Sequence, residues 1–137
     1  VERAADAAKA RGAKRAVLLP VSAPFHCALM RPAAERLAER LAGVSIATPQ
    51  IAVLNNVDVA VRTSPDEIRE ALVRQAFSPV RWIETVQEMG RRGMRHVIEC
   101  GPGKVLAGMT KRIAKDVEGG SAHDAASLEQ SIAAVRG

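Results

Sequence analysis

Three short strand-like segments, residues 16–21, 51–54 and 96–99, lack regular polar alternation, and segments of helical periodicity lie between them. A strand with one face in water alternates apolar and polar side chains; a strand covered on both faces does not. Short runs of this kind set between helices restrict the chain to an α/β architecture, with a mainly parallel sheet covered on both sides.

The helical segments carry their own punctuation. Residues 1–11 are Ala-rich and close at Gly12. In 27–41, Met30, Ala34, Leu37 and Leu41 form one stripe that Gly43 ends, and Pro32 is tolerated because it falls in the first turn. Ser64-Pro65-Asp66-Glu67 is a helix start: Ser64 caps, Pro65 fits the first position and Glu67 completes a capping box, with the helix running to about Gln75. Ser78-Pro79 starts another, with Trp82, Ile83, Val86 and Met89 on one face. Gly101-Pro102-Gly103 turns the chain into a helix over 104–115. Residues 118–123 are expected to be a mobile loop, and Asp124 caps a last helix with Leu128, Ile132 and Val135. Asn55-Asn56, at a strand end, is expected to satisfy loop backbone groups.

The 137 residues allow one ordinary domain, and with only Phe25, Phe77 and Trp82 as aromatics the core must be built from Ala, Val, Leu and Ile. No apolar run approaches the ~20 residues of a membrane helix, and no signal peptide is visible. The net charge of +5 favours acidic partners. Nucleic acid is disfavoured, because Lys and Arg are interleaved with Asp and Glu and stacking platforms are scarce. Cys27 and Cys100 lie far apart and suggest reduced thiols in a cytoplasmic protein, not a disulfide framework. The opening Val1-Glu2-Arg3, without Met and already helical in pattern, reads as a fragment.

The segment Pro20-Val21-Ser22-Ala23-Pro24-Phe25-His26-Cys27-Ala28-Leu29-Met30 places a histidine at the C-terminal end of a strand, just before a helix. α/β proteins set catalytic groups at such points. A matching nucleophile is missing. Gly43-Val44-Ser45-Ile46-Ala47 imitates the G-x-S-x-G elbow, but a helix precedes it and a strand follows, the reverse of what an elbow needs. Gly101-Pro102-Gly103-Lys104 lacks the spacing of a phosphate loop. His26, Cys27, His96 and Cys100 offer no CxxC or HxxxH pair, so no metal site is expected.

Four ordered blocks carry a resemblance over almost the whole chain: the segment around His26, Asn55-Asn56-Val57, Arg74-Gln75 with Pro79-Val80-Arg81-Trp82, and Glu99-Cys100-Gly101-Pro102-Gly103-Lys104-Val105-Leu106. Together they resemble the malonyl-CoA:acyl carrier protein transacylases of fatty acid synthesis and the related acyltransferase domains of polyketide synthases. The likeness extends only to the C-terminal half, or slightly less, of the family's length.

The resemblance implies an α/β-hydrolase-like large subdomain beside a small ferredoxin-like one. Residues 1–22 would be the last helix and strand of the small subdomain, and 23–137 the C-terminal part of the large one. It implies an acyl-serine mechanism, with the serine of a GHSxG elbow outside these residues. His26 would be the general base and the backbone carbonyl of Gln75 would accept its ring N–H. Phe25 would favour malonyl over methylmalonyl groups. Lys14 and Arg15 would meet coenzyme A phosphates or the acidic carrier protein. Malonyl-CoA is then the substrate and the phosphopantetheine thiol of acyl carrier protein the acceptor. No permanent cofactor is implied, and the complete enzyme would be a cytoplasmic monomer. The rivals are a polyketide-synthase acyltransferase domain and a non-catalytic α/β module docking an acidic protein. Without its neighbours the fragment is expected to be inactive, to expose apolar edges and to be poorly soluble.

Overall fold

The computed structural model describes residues 1–136. In chain order it contains α1 (Glu2–Ala10), a 3-10 turn (Ala28–Met30), α2 (Arg31–Ala42), β1 (Leu54–Asn55), β2 (Ala60–Val61), α3 (Pro65–Phe77), α4 (Trp82–Arg91), β3 (His96–Cys100), α5 (Val105–Ile113), β4 (Glu118–Ala122) and α6 (Ala125–Arg136). This is a mixed helix-and-strand, α/β chain.

The parallel pair β3–β4 is the centre of the C-terminal part, with His96 opposite Glu118 and Cys100 opposite Ala122. Its helices lie on opposite faces, and two consecutive glycines show it. Neighbouring residues in a strand point to opposite sides. A Cβ on Gly119 would run into the Ala107 carbonyl oxygen of α5, whereas one on Gly120 would meet Ile98 Cδ1 of β3 and Ser131 Oγ of α6. The parallel pair is therefore covered by helices on both faces, with Val97 and Ile98 as its apolar centre.

That arrangement also corrects the expectation of a mobile loop at 118–123. Glu118-Gly119-Gly120-Ser121-Ala122 has little strand propensity, yet it pairs along its length with β3. Glycine is there because α5 approaches the backbone too closely for a side chain. Ser131 Oγ donates to the Ser121 carbonyl at 3.0 Å and ties α6 to the same strand.

Elsewhere α2 packs on α3. The fully buried residues are small: Ala34, Ala71, Val86 and Val117, with Thr85 and Thr110. Each threonine satisfies its hydroxyl on the carbonyl one helical turn back, Arg81 at 2.8 Å and Leu106 at 3.0 Å. The start of α3 is as expected, with Glu67 N–H donating to Ser64 Oγ at 3.4 Å and Pro65 in the first turn. The capping box is only half made, since the Glu67 carboxylate accepts from Arg62 instead. Asp124 caps α6 by accepting from Ser127 N–H at 2.8 Å.

Two expected strands come out differently. Residues 16–21 are not in a strand, and Val17, Leu18, Leu19 and Val21 are exposed, Leu19 to 74%. A strand needs a neighbour for its amide groups, and no described segment pairs with this one. With α1 it borders an open apolar groove of about 720 Å³. Of residues 51–54 only Leu54 joins a ladder: β1 and β2 form a two-residue antiparallel hairpin, and Ile51 and Val53 are exposed. Among the described residues no helix is long and apolar enough to cross a membrane.

Candidate active site

His26 sits on the turn that joins the extended segment to the 3-10 turn, with φ +56. That left-handed backbone is uncommon for a non-glycine residue and costs on the order of 1 kcal/mol, so the surroundings must hold it. Phe25 N–H donates to the Ala23 carbonyl at 2.9 Å and Met30 N–H to the Cys27 carbonyl at 3.0 Å. The Cys27 thiol donates to the Pro24 carbonyl at 3.2 Å. The 3-10 turn then rests on α2 and α3.

The imidazole makes one long-range contact: Nδ1 lies 3.0 Å from the Gln75 carbonyl oxygen, 49 residues away in sequence. A carbonyl only accepts, so Nδ1 carries the proton, and on the neutral ring Nε2 is left as the acceptor. His26 is exposed, and Nε2 has no hydrogen-bond partner among the described residues.

The Gln75 carbonyl is available for a local reason. In an α-helix it would accept from the N–H four residues on, but that residue is Pro79, which has none. Proline also pushes the residue before it out of the helical region. Ser78 accordingly closes α3 in an extended conformation, φ −119 and ψ 151. The same proline therefore ends the helix and frees the carbonyl that faces His26.

Several contacts lock this joint. The Arg31 guanidinium, at the start of α2, stands 4.6 Å from the ring centroid of Phe77 at the end of α3. Arg74, beside Gln75, donates from Nη2 to Asp58 Oδ2 at 2.7 Å. That oxygen also accepts from Arg62, at 2.8 Å from Nη2 and 3.2 Å from Nε. Burial alone would push the Asp58 carboxyl up; the hydrogen bonds and positive charge of Arg62 and Arg74 outweigh it and hold the group below its usual range.

The remaining sequence candidates are placed as follows. Phe25 is 58% exposed, so it is not a packing residue in these 136 residues. Lys14 and Arg15 are exposed on the segment ahead of Pro20, and no hydrogen bond brings them to His26. Asn55 does serve a loop, donating to the Ala60 carbonyl at 3.3 Å. The Gly101-Pro102-Gly103-Lys104 turn cannot present its helix N-terminus freely to an anion, because the Glu99 carboxylate already accepts from Ala107 N–H at 3.0 Å. Among the described residues no three of His, Cys, Asp and Glu converge in a way that could hold a metal ion.

Asp58 and Arg31 were not legible as site-supporting residues. Asp58 and Arg62 are four apart across a hairpin turn, which hints at a local pair, but nothing in the spacing points to Arg74 sixteen residues further on.

No family model matches the chain. It is 58% identical over 128 residues to the malonyl CoA-acyl carrier protein transacylase of Haemophilus influenzae, covering 93% of the chain and 41% of that protein. It is 57% identical over 113 residues to the protein of the same name from Escherichia coli K12, covering 82% of the chain and 37% of that protein. Among solved structures, an acyl-carrier-protein S-malonyltransferase from Burkholderia pseudomallei superposes with TM-score 0.87 at 57% identity, covering 96% of this chain and 43% of that one. A malonyl-transacylase solved in complex with its type II polyketide-synthase acyl-carrier protein gives TM-score 0.89 at 50% identity, covering 97% and 43%. The resemblance carried by the four blocks is thereby shown. The chain spans only about two-fifths of the length of the curated relatives it matches, 41% of the first of them.

Proposed function

We propose that this chain is the His26-bearing, C-terminal portion of a malonyl-CoA:acyl carrier protein transacylase, and that His26 is the general base of both half-reactions. The nucleophilic serine would come from the part of such an enzyme that these residues do not include. Residues 1–22 would close a small ferredoxin-like subdomain and residues 23–137 complete a larger α/β-hydrolase-like one.

The chemistry follows from the imidazole's hydrogen bonding. The Gln75 carbonyl keeps the proton on Nδ1, so Nε2 is free to take the serine hydroxyl proton as the oxygen attacks the malonyl thioester. Coenzyme A leaves as the thiol, reprotonated from His26, and a malonyl-serine ester remains. The imidazole then takes the proton of the phosphopantetheine thiol, sulfur attacks the ester, and the serine recovers its proton. A neutral carbonyl stands where other triads place a carboxylate. It fixes the tautomer without adding charge.

Phe25, exposed beside His26, would line the acyl pocket and favour malonyl over methylmalonyl; one methyl group in an apolar pocket is worth about 1–3 kcal/mol. Lys14 and Arg15 would meet coenzyme A phosphates or an acidic carrier. No resident cofactor is called for, and the complete enzyme would act as a cytoplasmic monomer. The carrier can belong to fatty acid or polyketide synthesis.

The observation that carries this reading is the Nδ1 contact to a carbonyl that Pro79 leaves without a helical partner. The test is His26→Ala in the complete enzyme, followed by malonyl transfer from malonyl-CoA to a carrier protein. Transfer should fall on the order of 10²-fold or more. Retained transfer would instead favour a non-catalytic module that docks an acidic protein. Incubated alone with malonyl-CoA, the 137-residue chain should show no malonyl adduct by intact mass.

A further inference from the structure

We propose that Asp58 is a positioning residue for the His26–Gln75 pair, acting through Arg74; this rests on the catalytic reading of His26. Its carboxylate is only 15% exposed, and a single oxygen, Oδ2, accepts from Arg62 and from Arg74. The ion pair farther back on α3, Arg69 with Asp66, involves a carboxylate that is 95% exposed and screened by water. Asp58 is thus a partially desolvated contact at the C-terminal end of α3, one residue before the carbonyl that orients the imidazole, whereas the other carboxylate near Arg74, Glu70 at 3.9 Å, is 70% exposed.

The turn carrying Asp58 is built for this at a cost. Val59, the next residue, has φ +56, a left-handed conformation in which a β-branched side chain is a clear outlier. Its N–H donates to the Asn55 carbonyl at 2.9 Å, which closes the turn. Strain of this sort persists only where the surroundings over-determine it. The same turn also reaches the far side of the joint: the Asn56 carbonyl accepts from Arg81 N–H at 2.9 Å, just before α4. One tight hairpin turn therefore grips both ends of the link that contains Pro79. A shift of a few tenths of an ångström there would lengthen the 3.0 Å contact to His26.

The experiment compares the complete transacylase with its Asp58→Asn and Asp58→Glu variants, using side-chain ¹⁵N spectra of histidine to read the His26 tautomer, and steady-state transfer kinetics. Wild type should hold the Nδ1–H form. Asp58→Asn should shift His26 toward Nε2–H and lower kcat about two- to threefold with KM for malonyl-CoA unchanged, the scale of one weakened hydrogen bond. Asp58→Glu should restore part of both. If Asp58→Asn does not fold, Arg74→Met, which keeps the alkyl stem and removes the guanidinium donor to Asp58, supplies the same two readouts. An unchanged tautomer in the folded variant overturns the proposal, whatever happens to stability. The His26→Ala control separates the two claims: if it leaves transfer intact, the catalytic reading fails, and the tautomer shift alone decides the role of Asp58.

Discussion

On the proposed reading of His26, replacing Pro79 with Ala should slow malonyl transfer by the complete enzyme while leaving stability nearly unchanged. The substitution restores an N–H at the position from which an α-helix would donate to the Gln75 carbonyl, and it releases Ser78 from the extended region that a following proline imposes. Helix α3 can then extend past Phe77, and the new N–H competes with His26 for the oxygen now 3.0 Å from Nδ1. The contact at risk is one neutral hydrogen bond, worth roughly 0.5–1.5 kcal/mol, which corresponds to about 2- to 13-fold in rate. A carbonyl has two lone pairs and can serve both donors in part, so the loss should lie toward the lower end of that range.

Stability responds to two opposed effects of the same change. The unfolded chain gains freedom without proline, a loss of about 0.4–1 kcal/mol, and the extended helix gains a bond of about 1 kcal/mol. The melting temperature of the complete enzyme should therefore move little while kcat falls. The assay is malonyl transfer to carrier protein, read beside a thermal melt and the His26 ¹⁵N resonances. A kcat within experimental error of wild type, in a variant whose α3 has been shown to extend, would refute the idea that proline reserves this carbonyl for His26.

Two further results are expected from the fold. Gly119→Ala should destabilise more than Gly120→Ala in urea unfolding, because the new methyl meets α5 backbone in the first case and the mobile end of Ile98 in the second; overpacking of the first kind costs about 1–3 kcal/mol. Acid unfolding should carry a component from Asp58. Its folded pKa lies below the ordinary 3.8, so its stabilising effect is complete above that value and is lost as pH falls through the depressed folded value. Asp58→Asn should remove that component from the acid limb and leave the profile near neutrality parallel to wild type.

Much of the helical framework could be read directly because its signals are local. Ser64 and Pro65 start α3, Asp124 caps α6, and the turn at Gly101, with φ +147, separates β3 from α5. Strand pairing was the weak point. Residues 16–21 have the composition of a strand and no described partner, while 118–122 have a poor strand composition and a full ladder. A strand is a property of two segments, and propensity reports on only one of them.

The candidate site divides along the same line. His26, its place before a helix, and the proline that denies Gln75 a helical donor are written in the order of residues, since each depends on neighbours within four positions. The clamp that holds that joint is not. Asp58 meets Arg74, and Arg31 meets Phe77, only after α2, α3 and the hairpin have packed together. Hydrogen-bond capacity is a property of the local backbone, and so the sequence alone determined which groups were left unpaired. Which of those groups came within 3 Å of one another depended on packing between distant segments, and that was decided by the tertiary structure.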